Sequence, residues 1–370
     1  MRVVAFGVYV HIPFCATRCD YCDFATWTDR GHLIDAYVDA CVADLARRST
    51  GGYPAATSVF FGGGTPSLLG GDQLVRILDA IVRTDDAEVT VECNPDSVDA
   101  RKLAAYRRGG VNRLSFGVQS MSPHVLAALG RTHDRANVTR AIALAREASF
   151  EHVNVDLIYG TPGESSDDWR ATLVGAIALD VPHVSAYALT IEPATPLGRR
   201  IASGAAAPDD DVQADAYLLT DELLGAAGLD WYEVSNWARP GHECRHNLLY
   251  WSEGDYLGIG CAAHGHRDGR RWWNVRTPER YIAAIDAGIS AEAGAERLAA
   301  VSRAEEACAL ALRTRFGVPV AREAASVVEE LAAAGFVRQV DNRVVLTPQG
   351  RLLASDVTAR LLLAGAVGTR

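Results

Sequence analysis

Short apolar runs rich in β-branched and aromatic residues alternate, over the first half of the chain, with longer amphipathic stretches. This alternation predicts parallel strands joined by crossover helices. Six strands are predicted in this way between Val8 and Leu189. Their segments are VYVHI (8–12), SVFFG (58–62), EVTVEC (88–93), RLSFGVQ (113–119), HVNVDLIYG (152–160) and HVSAYAL (183–189).

The segments between these runs repeat apolar residues at helical spacing, and helices are predicted over 34–48, 72–83 and 136–148. Polar or glycine-rich stretches follow several strands: GGGTP after the second, NPD after the third and GTPGE after the fifth. Barrels of parallel strands collect their active sites at these carboxyl ends. The expected fold class is therefore α/β, a partial (βα)6 barrel like an incomplete TIM barrel, covering residues 1–200.

The pattern changes twice after residue 200. The stretch GAAAPDDD (204–211) predicts a linker, and a helix through Gly225 leads into an aromatic- and histidine-rich run over 231–266. Residues 201–298 are therefore expected to form an extension of the barrel. Residues 299–370 predict a smaller, mainly helical, winged-helix-like domain with two short strands around an Asp341–Asn342 turn.

Composition narrows the function classes. The 370 residues carry a formal charge of −10 with 49% hydrophobic and 22% charged residues, and they contain no clustered run of Lys and Arg. A nucleic-acid partner is therefore not expected. No apolar run has membrane-spanning length, and the first residues predict a strand, not a signal peptide. Three crowded and five scattered cysteines are unlike a secreted disulfide framework, so a reducing cytoplasm is predicted, with peripheral docking on a membrane partner left open.

Three cysteines, Cys15, Cys19 and Cys22, crowd into CATRCDYC directly after the first strand. Structural zinc normally takes four ligands, so a zinc site would need His11 or a distant residue as well. A four-iron cluster held by three thiolates leaves one iron open to bind a small molecule. The triplet is therefore predicted to hold a metal cluster, and a zinc or redox module is the alternative. The other cysteines predict core positions: Cys41, Cys93, Cys244, Cys261 and Cys308.

The motif CxxxCxYC after a first strand, with Tyr21 before its third cysteine, resembles the radical S-adenosylmethionine (SAM) superfamily. Within it, the chain resembles the oxygen-independent coproporphyrinogen III dehydrogenase-like family and most closely the HemW-type haem chaperones. The resemblance runs from YVHIPFC through the C-terminal region. It implies three cofactors: a 4Fe-4S cluster on the three cysteines, S-adenosyl-L-methionine, and haem.

The same resemblance implies a set of SAM-binding residues. Simpler alternatives exist for several of them: Tyr9 as a core aromatic, Glu92 as a helix cap, and Arg131 as a surface ion-pair partner. The GGGTP stretch alone would also fit a tight turn. The implied set is Tyr9, Tyr21, Gly63, Gly64, Thr65, Glu92, Gln119, Arg131 and Asp156.

A second motif, HNLLYW (246–251), matches the HNxxYW signature of the HemW-type chaperones. Histidine is a common axial ligand of haem iron, and neighbouring aromatic side chains pack on porphyrin faces. His246 is therefore the predicted haem ligand, with a structural core histidine as the alternative. His264 and His266 in CAAHGH are weaker candidates.

Two departures from the decarboxylating members of the family bear on function. Those members carry a long segment before the cysteine motif, where this chain has 14 residues, and a further cysteine, which CDYCDFA lacks. The expected function is a haem chaperone that delivers haem to apo-proteins such as respiratory cytochromes, and whether it is also an enzyme is left open. The alternative is SAM-dependent decarboxylation of coproporphyrinogen III. The resemblance also implies a homodimer and, if SAM is cleaved, a flavodoxin or ferredoxin as electron donor.

Overall fold

The computed structural model describes residues 5–49 and 51–366. A twelve-stranded sheet and a separate three-stranded sheet contain its strands. The strands are β1 (Phe6–Ile12), β2 (Ala56–Gly63), β3 (Arg83–Cys93), β4 (Arg113–Gln119), β5 (His152–Tyr159), β6 (His183–Ala188), β7 (Asp230–Glu233), β8 (Asn236–Ala238), β9 (Asp255–Ile259), β10 (His264–Arg267), β11 (Arg270–Asn274), β12 (Glu292–Arg297), β13 (Val318–Pro319), β14 (Val337–Val340) and β15 (Arg343–Leu346).

Helices occupy most of the connections between strands. They are α1 (Ile34–Ser49), α2 (Gly71–Asp79), α3 (Ala100–Arg108), α4 (Pro123–Ala128), α5 (Arg135–Glu147), α6 (Ser166–Ala178), α7 (Pro196–Ala202), α8 (Asp210–Ala226), α9 (Arg245–Trp251), α10 (Pro278–Asp286), α11 (Ala300–Leu312), α12 (Ala325–Ala333), α13 (Pro348–Leu352) and α14 (Ala354–Leu363). Among the described residues, none of these helices has the length and apolar character needed to cross a bilayer.

Strands β1 to β6 lie side by side in chain order, and each pairs in parallel with the next. These are the six strands that the alternating pattern predicts, and the α/β fold class is confirmed. Parallel neighbours require a crossover, which α1, α2, α3, α5 and α6 supply. The carboxyl ends of all six strands therefore meet at one edge of the sheet.

One predicted helix is too long. The 72–83 segment is helical only to Asp79, and Arg83 begins β3 by pairing with Ala56 of β2. The Arg83 guanidinium donates to the carbonyls of Leu78 at 2.7 Å and Ile81 at 3.4 Å. This side chain thus satisfies carbonyls at the helix end, where no further helical N–H groups follow.

The chain after residue 203 pairs with both edges of the six-stranded array. Strand β8 runs antiparallel to β6, and β9 runs parallel to β1 with β10, β11 and β12 beyond it. The predicted linker overlaps α8, because the Asp209 carboxylate caps that helix by accepting from Val212 N at 3.0 Å. Pairing by the later strands removes exposed edges from the parallel array.

The C-terminal residues carry their own apolar core, which includes Leu312, Val328 and Val357. Strands β14 and β15 form a hairpin whose turn residues, Asp341 and Asn342, have φ angles of 46° and 62°. Two positive φ angles fit the two-residue turn that follows the twist of a hairpin. The predicted pair of strands around this turn is therefore confirmed.

Candidate functional site

The three cysteines of CATRCDYC lie in the loop between β1 and α1, and all three are free and partly buried. His11, at the end of β1, lies with its Nε2 3.0 Å from the carbonyl oxygen of Ala25, which ties the loop back to the strand. Burial raises the pKa of the Cys15 thiol and raises that of Cys22 to about 11. Iron binding by these thiols would therefore release their protons.

The glycine-rich stretch after β2 packs against the cysteine loop. Gly63 has a φ of +110°, and a Cβ there would lie 2.4 Å from the His11 ring. At Gly64 a Cβ would lie 2.7 Å from the carbonyl oxygen of Phe14 and 3.1 Å from Cys15 Sγ. Backbone thus approaches the first thiol at a distance that only glycine allows.

A cavity of about 660 Å³ opens where these loops meet the strand ends. Of the thirteen residues predicted for the cluster and cofactors, eleven line this cavity and two, Tyr9 and His246, do not. The eleven are Cys15, Cys19, Tyr21, Cys22, Gly63, Gly64, Thr65, Glu92, Gln119, Arg131 and Asp156.

Arg131 links the end of β4 to the cysteine loop. Its Nη1 donates to Cys19 Sγ at 3.5 Å, and its Nη2 donates to the carbonyl of Gly117 at 2.8 Å. Gln119 ends β4 with a φ of +65° and lies beside Gly117. Arg131 therefore ties the cysteine loop to the end of β4 and places a positive charge beside one of the three thiols.

Two partly buried carboxyl groups face the cavity from β3 and β5. Glu92 accepts from the Gly63 backbone N–H at 3.1 Å, and Asp156 accepts from Ser115 Oγ at 2.7 Å and Asn154 Nδ2 at 2.8 Å. Burial, followed by the nearby charge of Asp156, raises the pKa of Glu92 to about 8. Burial also raises the pKa of Asp156, against its hydrogen bonds. The pair suits a ligand that is cationic and carries hydroxyl donors.

A second, smaller cavity of about 190 Å³, which we call the lumen, lies between the strands and shares four lining residues with the first. Sequence reasoning missed most of its polar lining. The available signal was the period-two repeat of polar residues along β5, His152, Asn154 and Asp156, because successive strand side chains point to opposite faces. The shared residues are Glu92, Ser115, Asp156 and Tyr187.

His246 lies on α9, lines the lumen and is fully buried. Its Nδ1 is 2.8 Å from Ser58 Oγ, its Nε2 is 2.9 Å from the Tyr250 hydroxyl, and its ring stacks on Phe60 at 5.4 Å. Burial lowers its pKa to about 3, so the ring is neutral at physiological pH. Both ring nitrogens are engaged, and iron ligation would have to replace one of these hydrogen bonds.

The other histidine candidates lie on β10. His264 is exposed beside Trp273, with ring centroids 6.0 Å apart, whereas His266 is buried with Nδ1 3.1 Å from the carbonyl of Gly254. Within residues 5–49 and 51–366, no three Cys, His, Asp or Glu side chains are grouped closely enough to hold a single metal ion.

Comparison with known proteins identifies related chains. The family model described as the radical SAM superfamily matches residues 9–174. Proteins named "Heme chaperone HemW" are 46% identical in Mycobacterium tuberculosis (strain H37Rv), covering 96% of this chain and 95% of the relative, and 34% identical in Bacillus subtilis, covering 96% and 99%. The Escherichia coli relative of that name is 42% identical over 76% and 77%.

Among solved structures, coproporphyrinogen III oxidase (HemN) from Escherichia coli, described as a radical SAM enzyme, superposes with a TM-score of 0.83. The match covers 97% of this chain and 90% of that chain at 24% identity. At this level of identity the two proteins share a fold.

Proposed function

Because the chain belongs to the radical SAM superfamily and, within it, to the HemW family, we propose that it is a haem chaperone that holds a 4Fe-4S cluster and SAM and passes haem to apo-proteins such as respiratory cytochromes. The observation that carries the proposal is identity to proteins named heme chaperones over nearly the whole chain. The HNLLYW motif on α9 supports it as well.

The cysteine loop and its cavity fit a cluster with SAM. Cys15, Cys19 and Cys22 would hold three of four irons, and about 660 Å³ lies within the usual range for small-molecule sites. When bound, such a cluster would supply the electron for cleavage of a sulfonium carbon–sulfur bond, if SAM is cleaved. The chain supplies orientation: the glycines admit the ligand close to the loop, and Glu92 and Asp156 face its positive charge.

Haem does not fit beside His246 while α9 is in place, because the lumen holds about 190 Å³ and pockets for ligands of such size are larger. In our proposal haem binds the HNLLYW segment with α9 displaced, and His246 exchanges its hydrogen bond to Tyr250 for the iron. Helix α9 has seven residues, a length that is marginal without tertiary packing. Neutral imidazole is the form that binds iron.

A second candidate is decarboxylation of coproporphyrinogen III. The observation that favours it is the single cavity lined by eleven of the thirteen predicted residues. This arrangement would allow radical chemistry on a substrate as well as binding of the cofactors.

One paired experiment separates the two functions. The protein, reconstituted with its cluster under anaerobic conditions, is loaded with haem and mixed with an apo-cytochrome, and transfer is followed by absorbance. A parallel sample receives coproporphyrinogen III, SAM and reductant. We expect haem transfer without protoporphyrinogen; formation of protoporphyrinogen would establish the enzyme instead.

A matched pair of variants tests the ligand. His246→Ala should lose the haem spectrum, whereas His264→Ala, which removes an exposed histidine of the same region, should keep it. The reverse result would move the haem site to β10.

A further inference from the structure

The two partly buried carboxyl groups of the cofactor cavity, Glu92 and Asp156, receive unequal hydrogen bonding. Asp156 accepts from two side chains, Ser115 and Asn154, whereas Glu92 accepts from one backbone N–H, that of Gly63. Both groups line the cavity and the lumen. Two carboxylates that share a poorly solvated site repel each other when both are ionised, and hydrogen-bond donors favour the charged form of the group that receives them. The proton therefore belongs on Glu92.

Asn154 fixes this difference through the direction of its amide. Its Nδ2 faces three acceptors, Asp156 Oδ1 at 2.8 Å and the hydroxyl oxygens of Ser115 at 2.6 Å and Ser185 at 2.9 Å. Its Oδ1 lies 2.5 Å from His183 Nδ1. The opposite amide orientation would aim a carbonyl at the Asp156 carboxylate, so the NH2 group points to Asp156 and His183 donates from Nδ1.

The tautomer of His183 holds this arrangement in place. With Nδ1 as a donor and a pKa that burial lowers well below its usual value, His183 is neutral, and its Nε2 accepts from the Tyr232 hydroxyl at 2.8 Å. Tyr232 in turn accepts from the Cys244 backbone N–H at 3.2 Å. The chain of hydrogen bonds has one consistent direction, and it ends on Asp156.

The surroundings of Glu92 do not supply a counter-charge from the lumen side. Arg113 is the cation among the residues that line the lumen, and it lies 3.7 Å from the carboxylate of Glu88. Arg131, in the cofactor cavity, is engaged with Cys19 and Gly117. The titratable groups that face Glu92 from other elements are Tyr9 on β1, Asp156 on β5, Tyr187 on β6 and Tyr250 on α9.

We propose that Asn154 is a positioning residue that keeps Asp156 ionised, and that Glu92 holds a proton which it gives up to solvent when SAM binds. The step breaks the O–H bond of the Glu92 carboxyl group and leaves the carboxylate facing the sulfonium cation, with no change of oxidation state. This inference rests on the proposed SAM site and adds a proton linkage to it. Affinity for SAM must then rise with pH until Glu92 is already ionised before binding.

The test counts protons. Cluster-loaded protein is titrated with SAM by calorimetry in two buffers of different ionisation enthalpy, at pH 7 and at pH 9. The α-amino group of SAM has an ordinary pKa of about 8 and also titrates here, so the measured quantity is the difference between wild type and Glu92→Gln. Glutamine mimics the neutral carboxyl group and should preserve the fold. We expect wild type to release about one more proton than the variant at pH 7, with most of the difference gone at pH 9.

Two further variants locate the effect. Glu164 is a partly buried carboxyl group whose pKa burial raises to about 7; it accepts from the Gly160 and Thr161 N–H groups and lines neither cavity. Glu164→Gln should therefore release as many protons as wild type. Adding Asn154→Leu to Glu92→Gln removes a hydrogen-bond donor from Asp156. Asp156 should then be protonated before SAM binds, and proton release on binding should return.

Each result decides a separate point. If wild type and Glu92→Gln release equal numbers of protons on binding SAM, Glu92 does not hold the proton. If the double variant does not regain proton release, Asn154 does not have the proposed role. Infrared difference spectra provide a second readout on wild type alone: the band of a protonated carboxylic acid should disappear when SAM binds. Protein that carries its cluster and gives no heat with SAM would overturn the proposed cofactor, whereas binding without Glu92-dependent release overturns only this inference.

Discussion

The cofactor cavity and the lumen are neighbours that share four lining residues, yet they are built in opposite ways. The cofactor cavity opens between glycines and partly buried thiols, and polar groups of its lining residues point into it. The second is lined on one side by α9, and its histidine is fully buried with both nitrogens hydrogen-bonded. We infer that a ligand can enter the first without rearrangement, whereas reaching His246 requires α9 to move.

Part of the cost of moving α9 lies at the His246 side chain, and the burial of Leu249 and the hydrogen bond from His246 N to Glu88 at 3.2 Å add to it. Each hydrogen bond of His246 contributes a net of about 1 kcal/mol, and its stacking on Phe60 contributes a similar amount. A coordinate bond between the imidazole and iron can offset the loss of these side-chain interactions. The difference between the two cavities is therefore one between a preformed site and a closed site that a tight ligand can open.

The largest effect is expected from loss of one thiol in the preformed site. Cys19→Ala removes a ligand that three-cysteine binding cannot replace, so iron and sulfide should fall from about four each per chain to near zero after anaerobic reconstitution. Iron and sulfide analysis measures this. Cys308→Ala changes a cysteine in the C-terminal core and should leave the cluster content unchanged. A Cys19→Ala protein that retains its iron would disprove the cluster assignment.

A smaller but still large effect is expected from Gly64→Ala. The added Cβ would lie 2.7 Å from the Phe14 carbonyl and 2.9 Å from that of Ile12, and backbone cannot move away as a side chain can. Strain of this kind costs about 1–3 kcal/mol, so affinity for SAM should fall roughly tenfold to a hundredfold in calorimetry. Gly225→Ala on α8 has open space around its Cβ and should bind normally. Equal affinity of the two variants would contradict a close backbone approach.

The preformed site was the more predictable of the two regions. Strand periodicity located β1 to β6, and chain order placed the cysteines and Gly63 at their carboxyl ends. The pairing of β8 and β9 with the array was missed, because strands of three and five residues carry little pattern and their partners are distant in sequence. The burial of His246 was predicted only as the alternative to haem ligation, because it depends on Ser58 and Phe60, far away in the chain.

The burial of His246 should affect the pH dependence of the free energy of unfolding. The pKa of His246 is about 3 in the folded protein and about 6.5 in an unfolded chain. Because the unfolded chain binds a proton that the folded protein does not, stability is complete above pH 6.5 and falls as the pH drops towards 3. Between pH 7 and 5.5, His246→Gln should lose about 1 kcal/mol less than wild type in urea unfolding.

The control for this slope is a histidine on the surface. His32 is exposed in the segment before α1, and His32→Gln should therefore retain the wild-type slope. If His246→Gln also keeps the wild-type dependence of unfolding free energy on pH, then the imidazole of His246 is not shielded from water in the folded protein.

The smallest effect is expected from loss of the hydrogen bond between Tyr250 and His246, which tests whether breaking this bond limits haem binding. Tyr250→Phe removes the hydroxyl that engages His246 Nε2 at 2.9 Å while keeping the aromatic ring, so iron no longer has to displace that bond. Haem affinity should rise about threefold, a factor at the low end of the net contribution of one hydrogen bond. Absorbance titration with haem measures the change. Tyr256→Phe is the matched control, because its ring packs on Tyr250 at 4.7 Å without touching the imidazole nitrogens, and it should leave affinity unchanged. A fall in affinity with Tyr250→Phe would mean that the phenol itself contacts haem, and breaking its hydrogen bond to His246 would then not be the step that limits haem capture.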